Sequence, residues 1–130
     1  MEAVEKADIL IFTTPVYCMR ASAPIKAFID LTFTYWMSHR PRQSMFLKGA
    51  VVVSTAAGDR SNKSTKDIAT ALFYWGVPDV ISYGMAVQSM SWEQVRDGKK
   101  DKLKKDTAKI ARKISNPKLP PGIQQGKRSV

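Results

Sequence analysis

The hydrophobic positions along the chain fall into three apolar runs separated by polar segments. Residues 8–15 form a nearly continuous apolar run, which is typical of a parallel strand buried on both faces. Residues 50–55, with the sequence AVVVST, and residues 79–87, with the sequence DVISYGMAV, predict two further strands. We therefore expect a sheet of three buried strands.

Segments with helical spacing lie between and after these strands. Residues 22–36 place apolar side chains three and four positions apart, which predicts a helix opened by Ser22. Ser64 and Asp67 predict a capping box for a second helix, which Gly76 ends. Residues 91–115 predict the last helix. This alternation favours a single α/β domain with a parallel sheet and right-handed crossovers.

Length and composition agree with one globular domain. The chain has 130 residues, of which 44% are hydrophobic, and this is enough for one core. We expect a domain over residues 1–116 and a basic, proline-containing tail over residues 117–130. The lone Cys18 excludes an internal disulfide and a cysteine-rich metal site. No apolar run is long enough to span a membrane, and the first residues lack a basic signal region, so a cytoplasmic protein is expected.

The positive charge is concentrated near the C-terminus. The net charge is +10, and residues 91–130 carry 12 Lys and Arg against 4 Asp and Glu. This pattern fits either a solvated lysine face of the last helix or a surface for an acidic partner. Aromatic residues do not alternate with the lysines, so nucleic-acid binding is not expected.

In an open parallel sheet, ligands bind beyond the carboxyl ends of the strands. Those positions are residues 13–20, 54–62 and 85–90. The first segment combines threonine hydroxyls, backbone amides and Tyr17, which suits a flat heterocycle with a polar edge. The alternative is a simple strand-to-helix turn in which Tyr17 covers the core.

Two motifs in this region resemble those of a known family. The sequence TPVY at residues 14–17 is followed by SAPIKAFID at residues 22–30. These motifs resemble the NAD(P)H-dependent FMN reductases and related flavodoxin-like flavoproteins, and the resemblance covers roughly residues 5–115. It implies a flavodoxin-like three-layer α/β/α fold with a parallel sheet, of which this chain contains the last three strands and their helices.

The resemblance also implies a cofactor and a reaction. FMN would lie at the strand ends, and NADH or NADPH would transfer a hydride to it before the electrons pass to a small-molecule acceptor. No side-chain acid or base and no metal is implied. The residues implied to contact the flavin are Thr14, Pro15, Val16, Tyr17, Cys18, Met19, Ser54, Thr55, Ala56, Ala57 and Gly58.

One departure from the family changes the expectation. The family begins with a strand and a phosphate-binding loop similar to Gly-Ser-Pro-Arg-x-x-Gly-Asn-Thr, and this sequence contains neither. Residues 8–15 would then form a hydrophobic sheet edge, so we expect a fragment, a truncated gene product or a protein completed as a homo-oligomer. The alternative function is a non-enzymatic flavodoxin-like fragment or binding module that uses its basic C-terminal helix for an acidic partner.

Several other side chains are weaker candidates. Cys18 could be a redox-active thiol or a small packing residue, and His39 is expected in an exposed loop. Arg40 and Arg42 could meet a dinucleotide phosphate or lie in a solvated turn, and the Asp59-Arg60 pair has no motif support. Four aromatic residues could form a dimer face or part of the core: Trp36, Phe73, Tyr74 and Trp75.

Overall fold

A computed structural model describes residues 1–36, 42–58 and 61–115 of the chain. Several candidates lie outside this part, namely His39, Arg40, the Asp59-Arg60 pair and the tail over residues 117–130. The described strands are β1 (Ile9–Tyr17), β2 (Arg20–Ala21), β3 (Gly49–Ala56) and β4 (Asp79–Ala86). The described helices are α1 (Glu2–Lys6), α2 (Ala23–Leu31), α3 (Ser61–Trp75) and α4 (Asp97–Ile114).

The sheet has the order β2-β1-β3-β4, and its three long strands are parallel. β1 pairs with β3 from Ile9 opposite Gly49 to Pro15 opposite Thr55. This order matches the last three strands of the flavodoxin order 2-1-3-4-5, as expected from the sequence. The carboxyl ends of all three long strands therefore meet at one edge of the sheet.

The main core lies between the sheet and the helices α2 and α3. Because side chains alternate along a strand, Phe12 of β1 and Val52 of β3 point to the same face, where they meet Trp75 of α3. The ring of Trp75 lies 6.3 Å from that of Phe12 and 5.2 Å from that of Tyr35. Helical spacing in α3 brings its buried residues onto this face: Ile68, Ala71, Leu72 and Trp75.

The other face of the sheet is covered in part by α4. The Tyr83 hydroxyl on β4 donates a 2.8 Å hydrogen bond to Asp106 Oδ2 of this helix. Burial raises the pKa of Tyr83, and the hydrogen bond to Asp106 raises it further. Ile114 packs so closely on Gly49 that a Cβ at this glycine would lie 2.8 Å from Ile114 Cδ1. The charged residue Asp106 thus belongs to the inner face of a helix that is otherwise lysine-rich.

Two predicted helix boundaries were wrong. The first predicted helix ends at Leu31, because Thr32 leaves helical geometry at φ −99° and ψ 17°, and the chain continues as a 3₁₀ turn over Phe33–Tyr35. The last helix begins at Asp97 instead of residue 91, after a 3₁₀ turn over Trp92–Gln94.

The capping box at Ser64 and Asp67 was also wrong. α3 already begins at Ser61, so Ser64 lies inside the helix and is fully buried. Its hydroxyl has no hydrogen-bond partner among the described residues. Ser64 therefore acts as a small core residue of α3.

Replacing Ser64 with alanine is expected to stabilise the protein. An unpaired buried hydroxyl costs about 1–3 kcal/mol, and removing it should raise the free energy of unfolding by about 1 kcal/mol. Urea denaturation followed by circular dichroism measures this change. The matched control is Ser115→Ala, because the exposed Ser115 hydroxyl already bonds to the Ala111 carbonyl and should matter little. A loss of stability in Ser64→Ala would contradict the assignment of an unsatisfied group.

The outer edge of β1 agrees with the expected open edge within the described residues. β2 pairs only with Val16 and Tyr17, which leaves residues 9–15 without a strand partner on that side. The prediction that β1 is buried on both faces was wrong, because its side chains alternate between exposed and buried and 68% of Ile11 is accessible. Completion of this edge by a second copy stays a prediction.

Candidate functional site

The candidate site is the edge of the sheet where β1, β3 and β4 end. The hairpin between β1 and β2 projects from this edge, beside the segment after β3. The Val87 N–H after β4 donates a 2.8 Å hydrogen bond to the Ala56 carbonyl at the end of β3. These contacts hold the strand ends together.

The hairpin turn consists of Cys18 and Met19, both with left-handed backbone conformations at φ 48° and 65°. Positive φ at both central residues is typical of a type I′ turn, whose twist matches the paired strands. This conformation costs a non-glycine residue about 1–2 kcal/mol, so the turn is strained. It leaves Tyr17 and Met19 with 62% and 55% of their surfaces exposed, and the Cys18 thiol is exposed beside them.

A buried hydrogen-bond cluster connects the end of β1 to the start of α2. The Thr14 hydroxyl accepts a 3.1 Å hydrogen bond from the Ser22 N–H and donates one of 3.2 Å to the Ser22 hydroxyl. Both residues are buried, and Ser22 is the residue that precedes α2. The two ends of the hairpin segment are therefore held at a defined separation.

An ion pair connects the hairpin to α3. Arg20 Nη1 lies 2.8 Å from Asp67 Oδ1, although the two residues are 47 positions apart. Sequence reasoning missed this pair, because its spacing follows no local pattern. The pair and the Thr14–Ser22 cluster together orient the turn that carries Tyr17.

Residues predicted to contact the flavin divide into two groups in the structure. The side chains of Thr14, Ser54 and Ala56 are buried, so only their backbone atoms could face a ligand. The other group has exposed or partly exposed side chains and comprises Pro15, Val16, Tyr17, Cys18, Met19, Thr55, Ala57 and Gly58. Pro15 and Thr55 are paired neighbours, which brings the two predicted segments together at one edge.

The segment after β4, one of the three segments expected beyond the strand ends, also reaches this edge, although no flavin contact was predicted for it. Gln88 has a left-handed conformation at φ 54°, and the Lys99 ammonium donates hydrogen bonds to Gln88 Oε1 and the Ala86 carbonyl. A cavity of about 230 Å³ lies between this segment and α4. Its lining includes Thr55, Val87, Ser89, Met90 and Trp92.

Arg42, one of the weaker candidates from the sequence, makes contacts within the fold. Arg42 Nη1 lies 2.8 Å from Glu5 Oε1, and its guanidinium carbon lies 5.3 Å from the Tyr35 ring centroid. A hydrogen bond from the Ser44 hydroxyl lowers the pKa of Glu5, and Arg42 lowers it further. Arg42 thus holds α1 against the segment before β3.

The four aromatic candidates divide between the core and the surface. Trp75 is fully buried, whereas Phe73 and Tyr74 are exposed. Trp36 is half-buried and stacks on Tyr74, with ring centroids 4.4 Å apart. In the described ranges, no group of three or more His, Cys, Asp or Glu side chains is arranged to hold a metal ion.

Comparison with known proteins yields one family and several similar folds. A family model described as NADPH-dependent FMN reductase matches residues 1–88. No curated protein matches the chain.

Three solved structures are similar. The Trp repressor binding protein from Bacillus subtilis is 25% identical with a TM-score of 0.50, over 63% of this chain and 56% of that protein. An NADH:FMN oxidoreductase in its apo form is 21% identical with a TM-score of 0.62, over 95% of this chain and 66% of that protein. A flavone reductase is 16% identical with a TM-score of 0.56, over 92% of this chain and 47% of that protein. The chain thus spans about half to two thirds of the length of these proteins.

Proposed function

The chain belongs to the NADPH-dependent FMN reductase family, and from this premise we propose that it forms the flavin-ring side of an FMN-dependent NAD(P)H oxidoreductase. The observation that carries the proposal is the strained hairpin, which presents Tyr17 and Met19 at the carboxyl edge of the sheet. Strain of this kind concentrates at functional sites. A small-molecule electron acceptor completes the proposed reaction.

The exposed residues of this edge fit the ring of FMN. The ring is flat and largely apolar with a polar rim, and Tyr17, Met19 and Pro15 offer exposed apolar surface. Thr55 adds a hydroxyl, and a Cβ placed on Gly58 would have no described atom within 4 Å. We assign no residue to the FMN phosphate.

When bound, FMN would supply the redox chemistry by accepting a hydride from the nicotinamide and passing the electrons on. The side chains of this chain would bind the flavin and orient it. Thr14, Ser22, Arg20 and Asp67 would hold the hairpin, and Tyr17 would cover one part of the ring. We propose no side-chain acid or base.

Replacing Tyr17 with alanine is expected to weaken FMN binding about tenfold, because an aromatic contact of about 0.5–1.5 kcal/mol is lost with its apolar area. The measurement is an FMN titration of the full chain, followed by flavin fluorescence at two salt concentrations. Tyr74→Ala is the matched control, since Tyr74 is an exposed tyrosine near the C-terminal end of α3.

Three outcomes of this titration are informative. Saturable quenching that salt changes little, and that Tyr17→Ala weakens selectively, supports the ring site. Equal weakening of FMN binding by Tyr17→Ala and Tyr74→Ala would contradict a direct contact between the hairpin and the flavin. Absence of saturable FMN binding would overturn the proposal for this chain and favour a non-enzymatic module.

The second candidate is a binding module for an acidic partner, favoured by the outer surface of α4. Cationic side chains are exposed along this helix: Lys102, Lys104, Lys105, Lys109, Arg112 and Lys113. Binding of heparin that disappears with added salt, together with no FMN binding, would favour this function.

No helix in the described part of the chain has the length and hydropathy of a membrane span.

A further inference from the structure

The outer edge of β4 has no strand partner in the described part of the chain. β4 pairs with β3 alone, over all of its residues from Asp79 to Ala86. An edge strand presents a row of N–H and C=O groups to which another polypeptide can bind. The side chains of β4 are all partly or fully exposed, whereas most of those of β3 are buried. The edge of β4 is therefore open to a further strand.

β4 lacks the features that usually protect an edge strand. Such strands are blunted by proline, by lysine, by a bulge or by short length. β4 has 8 residues, DVISYGMA, without proline or lysine. Its register with β3 is uninterrupted. The edge is thus long and regular enough to pair over several residues.

A stripe of cations on α4 lies beside this edge. A helix turns by about 100° per residue, so residues spaced three, four or seven apart share one face. One such face of α4 consists of exposed basic side chains: Lys102, Lys105, Lys109, Arg112 and Lys113. We call this set the cationic stripe.

Two contacts place the cationic stripe on the β4 side of the helix. Lys102 Nζ lies 3.8 Å from Asp106 Oδ2, and the same oxygen accepts the hydrogen bond from the Tyr83 hydroxyl of β4. On the other side of α4, Ile114 packs on Gly49 of β3. Lys104 lies about 160° around the helix from Lys102 and is therefore away from β4.

The charge beside this edge favours an acidic partner. From residue 105 to residue 113 the sequence has 4 basic residues, and its carboxylate, Asp106, is bonded inward to Tyr83. Asp101 and Asp79 lie near the two ends of the cationic stripe. Residues 116–130 contain 3 basic residues and no acidic one, and the whole chain has a net charge of +10. Neither this segment nor a second copy of the chain therefore complements the stripe.

The spacing of the cationic stripe suits an extended strand. Its successive cations are mostly three or four residues apart, which corresponds to a rise of about 4.5–6 Å. Side chains on one face of a strand recur about every 6.6 Å. We propose that the edge of β4 binds an extended peptide as an additional strand, with acidic side chains at alternate positions facing the cationic stripe. Main-chain hydrogen bonds supply affinity in this binding mode, and the carboxylates select the partner.

Such a site rests on the second candidate function, to which it gives a surface and a class of partner, and not on flavin binding. The probe is a capped eight-residue peptide of alternating threonine and glutamate, titrated into the full chain by calorimetry at low salt. Saturable binding is expected, with slower amide hydrogen exchange in β4. The same peptide with every backbone nitrogen methylated keeps its charge but cannot donate to the edge, so it should bind at least about tenfold more weakly.

Lys109→Gln is expected to weaken binding of the alternating peptide about threefold to fivefold, the usual effect of an exposed ion pair. Lys104→Gln is the matched control, because Lys104 is an exposed lysine of the same helix on the flank away from β4. It should change the affinity less than twofold. Equal weakening by the two variants would indicate non-specific attraction to a basic helix and would overturn the proposal.

The remaining outcomes separate this site from other uses of the same surface. Equal binding of the alternating and methylated peptides would overturn strand addition and leave only a surface for acidic partners. Tighter binding of duplex DNA than of the peptide, with the same dependence on Lys109, would assign the cationic stripe to nucleic acid and also overturn it. Absence of peptide binding would overturn it as well, and sedimentation would then show whether a second copy occupies the edge. Lys109→Gln should leave FMN affinity within about twofold, so failure of the flavin site is measured independently.

Discussion

Trp75→Ala is expected to lower the free energy of unfolding by about 3–5 kcal/mol, the usual cost of removing a large buried aromatic side chain. The Trp75 side chain is 0% exposed and lies between β1, α2 and the 3₁₀ turn. Its ring contacts those of Phe12, Phe28 and Tyr35 at centroid distances of 5.2 to 6.4 Å. Domains are stable by about 5–15 kcal/mol, so this variant should approach complete unfolding. Urea denaturation followed by circular dichroism measures the loss.

Two further variants test whether packing alone explains this loss. Trp75→Phe keeps a ring and removes the indole Nε1, which is buried without a hydrogen-bond partner among the described residues. Because an unpaired buried donor costs about 1–3 kcal/mol, Trp75→Phe should cost less than half as much as Trp75→Ala. Phe73→Ala is the exposed control, since 64% of Phe73 is accessible. A loss from Phe73→Ala equal to that from Trp75→Ala would contradict the assignment of the core.

The sheet could be predicted from the sequence because its strands are nearly continuous apolar runs, and the predicted ranges 8–15, 50–55 and 79–87 agree with β1, β3 and β4 to within two residues. Burial on both faces is observed for most of β3 but not for β1, whose side chains alternate between exposed and buried. The parallel pairing followed from the helical segments between the strands. This part of the fold depends on hydrophobic pattern alone.

The helix boundaries and the hairpin depend on tertiary interactions, which the pattern of apolar and polar residues along the chain does not contain. Ser64 has the chemistry of a helix cap, but tertiary packing buries it inside α3. A type I′ turn is normally indicated by Asn-Gly or a similar pair, and Cys18 and Met19 carry no such signal. The hairpin is instead stabilised by Thr14 bonding to Ser22 and by Arg20 pairing with Asp67.

The candidate site was predictable in position but not in detail. Parallel topology places the ends of β1 and β3 together, and Pro15 indeed pairs with Thr55. Which side chains are exposed depends on strand alternation and local twist, so Thr14 and Ser54 proved to be buried. The flavin contacts themselves stay a prediction.

Gly84→Ala is expected to lower the free energy of unfolding by about 1–3 kcal/mol, the usual cost of overpacking a tight contact. A Cβ at Gly84 of β4 would lie 2.6 Å from Ser61 Oγ and 3.0 Å from Ser61 Cβ, at the first residue of α3. Rotation of the Ser61 side chain can relieve the contact with Oγ, but the contact with Cβ requires the backbone to shift by a few tenths of an ångström. Urea denaturation measures the loss of stability, and Gly98→Ala in the first turn of α4 is the matched control.

The control is expected to change stability in the opposite direction. A Cβ at Gly98 has no atom within 4 Å, and alanine is favoured over glycine in a helix by about 1 kcal/mol. Adding Ser61→Gly to Gly84→Ala should recover much of the loss, because it removes both crowded atoms. Equal stability of the two single variants would show that the close approach of β4 and α3 does not limit the stability of the fold.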